Sequence, residues 1–249
     1  MLPIRDHNPS NRTPYVTYVL IAVNIAVFLS YADLFNDPRA LNLFFAEWSL
    51  IPLQIAEGYR YDTLFTTMFL HGGFMHLAGN MLFLWIFGDN MEDEMGHLGF
   101  LLFYLASGLG AALVHVISGP YSTVPTVGAS GAIAGVMGGY LLLFPKARID
   151  IFVILFVFFR IFSVPAWVML GLWFVIQLFS GVDIDPTTGG VAYWAHAGGF
   201  VIGFALTMPI WLKQGGPAFW RRTSGHPPNP EAQYRFSSTA IPVVRRRRK

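Results

Sequence analysis

The stretch TVGASGAIAGVMGGYLLLFPKAR, residues 126–148, sets Ser130 among glycines and alanines at the head of an apolar run that meets no charge until Lys146. Gly131, Gly135, Gly138 and Gly139 leave one side of such a helix nearly bare, and small residues at these spacings let two helix backbones approach closely. With Lys146 at the inner boundary of a membrane, Ser130 lies 16 residues back. At ~1.5 Å per residue that is about 24 Å up a hydrocarbon core of ~30 Å. The spacing predicts a short helix that starts inside the membrane. Non-helical chain at that depth is tolerated only when it is buried in protein or lines a wet cavity.

The rest of the chain is built for lipid. Of its 249 residues 54% are hydrophobic and 12% charged, against about 25% charged in soluble domains, and the mean hydropathy is +0.51. Runs free of Asp, Glu, Lys and Arg cover residues 15–32, 74–88, 98–118, 130–144, 165–182 and 191–212. At roughly 20 residues per crossing, four are comfortable and two are short. The pattern predicts an all-α membrane protein, a bundle of six transmembrane helices with the fourth one short. Residues 1–14 precede the bundle, 15–212 form it, and 213–249 are a tail. The first run follows Thr13-Pro14 with no basic n-region or small-residue cleavage site, and reads as a retained span.

Six crossings put both ends on one side, which then holds 14 of the 16 basic residues, all but Arg39 and Arg60. The positive-inside rule makes that side the cytoplasm, and the expected location is a bacterial inner membrane. The tail is Pro-rich and polar before Arg245–Lys249. It reads as disordered, with its basic end against anionic lipid, not nucleic acid. Residues 35–72 form a long, apolar outer connection, and 149–159 are apolar but too short to cross, which places them at the inner interface. Cysteine is absent, so disulfides, thiol nucleophiles and Cys-ligated metals are excluded. No cofactor and no metal is expected.

The sixth run carries AHAGGFVIG, residues 195–203, with His196, Gly199 and Gly203 on one face. His196 lies 17 residues before Lys213, about 26 Å up by the same ruler. An imidazole and a hydroxyl thus arrive at matched depth on two bare faces. Close approach is what a base needs to reach a nucleophile at ~2.6–3.2 Å. In the second run His76 and Asn80, at i and i+4, share a face. They read either as donors to an oxyanion or as a polar pair joining helices. His115 has no polar neighbour at helical spacing and reads as a packing residue, while His71 is open to both kinds of role. Glu92 and Asp93 are expected to anchor the inner end of their helix. No carboxylate is available to orient the imidazole, so its support is expected from Tyr140 or another residue of the third or fourth helix.

Three motifs together, HGGFMHLAGN (71–80), GASG (128–131) and AHAGGFVIG (195–203), resemble the rhomboid family of intramembrane serine proteases in order and spacing. The resemblance covers residues 15 to 212. It implies a six-helix rhomboid-like bundle in which Ser130 is the nucleophile and His196 its base. It also implies an oxyanion hole of His76, Asn80 and the Ser130 N–H, with His71, Gly128, Gly131, Gly199 and Gly203 in support and Glu92 bonded within the bundle. The substrates implied are transmembrane proteins, cut near the outer end of a membrane helix. The sequence departs from the family at Asp62 and Thr63, where many bacterial members carry Trp-Arg. The fifth run with residues 183–190 is the expected gate.

Other classes fare worse. An aspartyl intramembrane protease needs YD and GxGD within spans; here Asp62 lies in a loop, and Ile86 stands where Gly88-Asp89 would need the first glycine. Zinc proteolysis through HExxH fails at Gly72. A transporter would need a carboxylate deep in a span or a visible repeat. The remaining alternative is a non-enzymatic adaptor or chaperone that uses the same bundle to bind transmembrane helices.

Overall fold

The computed structural model describes residues 2–155, 158–183 and 190–227. In chain order these give strand β1 (Leu2–Asp6), helix α1 (Tyr15–Tyr31) continued by a 3-10 turn (Ala32–Asn36), and helices α2 (Pro38–Trp48), α3 (Pro52–Ala56) and α4 (Thr63–Thr66). A second 3-10 turn (Thr67–Phe69) leads to α5 (Phe74–Met95), α6 (His97–Ser118) and α7 (Ser130–Leu143). Strands β2 (Arg148–Leu155) and β3 (Phe158–Pro165) precede α8 (Ala166–Asp183), α9 (Tyr193–Lys213) and α10 (Pro217–Thr223).

Three segments are long and apolar enough to cross a membrane: Tyr15–Asn36, α6 and α9. A fourth arises if Thr63–Phe69 and α5, which meet at 90°, count as one broken span. Polar His76, Asn80, Asp89 and Asn90 along α5 hold down its hydropathy. Helices α7 and α8 are apolar but shorter. At ~1.5 Å per residue the 14 residues of α7 reach about 21 Å. Every α7 residue except Ser130 and Leu141 is buried, as expected of a helix that is apolar all round. It packs against α9, α6 and α5.

The close seam between α7 and α9 is where the glycines matter. A Cβ on Gly199 would fall inside the contact radius of the Gly131 carbonyl oxygen, and one on Gly203 would do the same at Gly135. The two backbones are in contact along this seam, with no room for a side chain.

The expectation of an all-α protein is corrected by a three-stranded antiparallel sheet of order β1-β2-β3. Residues 149–159, read as an interfacial apolar segment, belong to its hairpin: Ile149 pairs with Val164, Ile151 with Phe162 and Val153 with Arg160. β-branched and aromatic side chains fill both strands, and these suit a pleated, half-buried surface. The strand β1 adds to the free edge of β2, with Arg5 and His7 bonded to Asp150 at 2.7 and 2.9 Å.

Part of the tail is corrected as well. Residues 217–223 are helical, with Phe219 buried and the Trp220 indole donating to the Leu142 carbonyl at 3.0 Å. The basic cluster 245–249 and most of the 183–190 connection lie outside the described residues.

At the foot of α7, opposite Ser130, the Tyr140 hydroxyl donates to Asp6 at 2.6 Å. Asp6 lies in β1, outside the apolar helices. Burial, helped by Asp89 and opposed by the Tyr140 hydrogen bond, pushes its carboxyl up to about 8. The folded chain therefore keeps a proton that the unfolded chain releases near pH ~4. The stability this proton supplies is complete below ~pH 4 and is lost as pH rises through about 8. The melting midpoint is expected to fall between pH 5 and 8, and Asp6→Asn to flatten that slope. Equal slopes for parent and variant would exclude Asp6 as the source.

The connection formed by residues 35–72 is held without the Trp-Arg pair. Arg60 pairs with Asp62 and Glu47 at 3.1 and 3.3 Å and also bonds to the Glu47 carbonyl. Thr66 donates to the Trp48 carbonyl at 2.6 Å. A short antiparallel bridge joins Leu50 to Thr126, which ties this connection to the loop leading into Ser130.

Candidate active site

Ser130 opens α7 and His196 sits in the first turn of α9, so the α7–α9 seam decides their separation. The Ser130 Oγ and His196 Nε2 are 2.8 Å apart. The two side chains read from the sequence as a pair share a direct hydrogen bond. Both residues line a cavity of about 520 Å³ with His76, Asn80, Trp173 and Met137 among its walls. The lining is largely apolar with a few convergent polar groups, the usual character of a ligand site.

His76 and Asn80 lie on the face of α5 turned to this cavity. The Gly72 N–H donates to His76 Nδ1 at 3.3 Å. A neutral imidazole that accepts at Nδ1 carries its hydrogen on Nε2. That nitrogen and Ser130 Oγ both crowd one point: a Cβ on Gly128 would lie 3.1 Å from the first and 3.2 Å from the second. Gly128 also has φ +139°, a conformation that L side chains rarely adopt. The buried Asn80 Nδ2 has no hydrogen-bond partner among the described residues. An unpaired buried donor is costly unless a ligand oxygen or water arrives to use it. The Ser130 N–H belongs to the first turn of α7, where helix N–H groups lack intrahelical partners.

His71 is fully buried just before α5. Its backbone is clamped by one hydroxyl: Tyr31 accepts from the His71 N–H at 2.7 Å and donates to its carbonyl at 3.0 Å. The His71 ring meets His76 edge-on at 5.2 Å. Glu92 anchors as expected, accepting from the Val16 and Thr17 N–H groups at 2.9 and 2.8 Å and so capping the start of α1. Asp93 accepts from the Asn11 N–H at 2.8 Å. His115, read as packing alone, shares a 2.9 Å hydrogen bond with Thr126. Its partner lies on a loop, beyond the reach of a helical-spacing rule.

The support of the imidazole is a correction. Tyr140 is bonded to Asp6 at the far end of α7. The group beside His196 Nδ1 is the amide oxygen of Gln177, at 2.9 Å, from α8. The Trp173 ring, one turn earlier on α8, lies 5.7 Å from the imidazole. A signal existed in the sequence: Gln177 is an amide in an otherwise apolar run, four residues after a Trp. Polar side chains in such runs are expensive and tend to be functional. No group of three or more His, Cys, Asp or Glu able to hold a metal occurs among the described residues.

The chain is similar to known proteins over much of its length. A family profile described as "Rhomboid domain" matches residues 57–213. The chain is similar to "RHOMBOID-like protein 4" of Arabidopsis thaliana, 34% identical over 63% of this chain and 35% of the relative. It is also similar to "Rhomboid protease GluP" of Bacillus subtilis, 32% identical over 85% of this chain and 38% of the relative. "Rhomboid protein 1, mitochondrial" of Saccharomyces cerevisiae is 29% identical over 76% of this chain and 51% of the relative. The chain thus spans between about a third and a half of the length of these relatives.

Proposed function

The chain belongs to the rhomboid family, and from that premise we propose that it is an intramembrane serine endopeptidase acting on transmembrane proteins. The observation that carries the reading is the 2.8 Å contact between Ser130 Oγ and His196 Nε2, in a cavity also lined by Asn80, whose Nδ2 has no partner among the described residues. A non-enzymatic adaptor has no need of a nucleophile and a base in contact, with polar donors lining the same cavity.

In this mechanism His196 Nε2 takes the proton of Ser130, and the alkoxide attacks the scissile carbonyl. The negative charge that develops is held by His76 Nε2–H, Asn80 Nδ2–H and the Ser130 N–H. The positive end of the α7 dipole adds to this hold. His196 then hands its proton to the leaving amine and activates the water that releases the acyl group. A helical substrate has its carbonyls already bonded, so the segment to be cut must unwind first. Substrates with Gly, Pro or polar residues near the outer face are favoured.

The proposed setting is a six-helix bundle in a bacterial inner membrane with both termini cytoplasmic. It is supported by the three long apolar helices, the bent α4–α5 pair and the two shorter ones. In it α7 begins inside the bilayer. The decisive test is a fluorophosphonate probe on the purified full chain. The parent is expected to be labelled and Ser130→Ala to stay blank. Labelling of equal strength in both, or in neither, would end the proposal.

A further inference from the structure

We infer that Gln177 is a positioning residue that selects the working tautomer of His196, an inference that rests on the Ser130–His196 reading above. The chain of donors and acceptors leaves one consistent assignment. The Trp173 carbonyl can only accept, and Gln177 Nε2 lies 3.2 Å from it. That bond points the amide oxygen, itself only an acceptor, at His196 Nδ1, 2.9 Å away. Nδ1 must then be the nitrogen that carries hydrogen. A neutral imidazole has one such hydrogen, so Nε2 presents its lone pair to the Ser130 hydroxyl at 2.8 Å. Reversing the amide would set two oxygens against each other at Trp173.

Gln177 is buried, and Trp173 lies beside the same imidazole. The ring is thus fixed by two residues one turn apart on α8. Proton transfer runs from Ser130 Oγ to His196 Nε2, while the Nδ1 hydrogen stays with Gln177 throughout. Once the ring is an imidazolium, that bond becomes charge-assisted and stronger. Gln177 therefore favours the transition state over the resting state, which is the requirement for raising kcat. A carboxylate could orient the ring too, but at the cost of a buried charge in an apolar helix. An amide orients without that cost.

The test measures kcat and KM on a transmembrane reporter with the full chain, using Gln177→Leu, which has no acceptor, and Gln177→Glu, which keeps one. Gln177→Leu is expected to lower kcat about tenfold with KM within about twofold, and Gln177→Glu to hold kcat within about threefold of the parent. The inference is overturned if Gln177→Leu keeps parental kcat, if its loss lies in KM alone, or if Gln177→Glu falls as far as Gln177→Leu. Should Gln177→Leu fail to fold, Gln177→Met, which has the length of Gln177 and likewise lacks the oxygen acceptor, takes its place with the same expected loss. A parent that cleaves no more than Ser130→Ala removes the underlying reading and this inference together. A cleaving parent indifferent to both Gln177 changes removes the inference only.

Discussion

Replacing His196 by alanine is expected to lower the cleavage rate of a transmembrane reporter roughly 10⁴-fold while the protein stays folded. Two losses combine. Ser130 loses the group that takes its proton at 2.8 Å, and the leaving amine loses its proton donor. The size is set by how little a hydroxyl attacks on its own, since serine is a weak nucleophile until a base acts on it. The fold should survive because the imidazole borders an existing cavity of about 520 Å³, and truncation enlarges that space without opening a new void. Cleavage by the variant at the parental rate would leave the dyad without a base and the mechanism without a first step. The melting midpoint, measured in parallel, separates loss of chemistry from loss of fold.

Gly199→Ala is expected to be the next most damaging change, from the addition of one carbon. The new methyl would overlap the Gly131 carbonyl oxygen and lie 3.2 Å from the Ala111 Cβ. The obstacle is backbone on a buried helix, which cannot swing aside as a side chain can. Overpacking of this kind costs about 1–3 kcal/mol even where neighbours yield. A further cost falls on the rate. Gly199 is less than one turn from His196, and Gly131 is next to Ser130. Any widening of the seam acts directly on the Ser130–His196 distance, and misplacement by ~1 Å can cost about 10²-fold in rate. Cleavage is therefore expected to drop about 10²-fold or more, with a lowered melting midpoint. Activity within a few-fold of the parent would mean that α7 and α9 can separate without loss, and that the glycine seam is not what brings the two residues together.

Much of this site could be read from the chain because it depends on periodicity and length. Counting residues to Lys146 and Lys213 puts Ser130 and His196 at one height, and bare helix faces mark where backbones meet. Glu92 was legible because a carboxylate at a helix end has few other partners. The same ruler bears on the expected support for the imidazole. Tyr140 stands ten residues beyond Ser130, about 15 Å along the helix, too far to touch His196. The true neighbour, Gln177, comes from a helix whose rotation about its axis no pattern in an almost uniformly apolar run discloses. The sheet was hidden for a related reason. A short apolar run such as 149–155 suits a strand as well as an interfacial segment, and only the distant residues 2–6 complete the pairing. His115 looked isolated because Thr126 reaches it through loop geometry.

The pairing of Leu2 with Phe152 and of Asp6 with Ile149 has a consequence for how the chain is made. Residues 2–6 leave the ribosome roughly 145 residues before their partner strand does, an interval of roughly 7–30 s at ~5–20 residues per second. Helices α1, α5, α6 and α7 have all been translated by then. Residues 2–6 thus wait for a partner made much later, and close over the foot of α7 like a latch that can engage only after the helices it secures have left the translocation machinery.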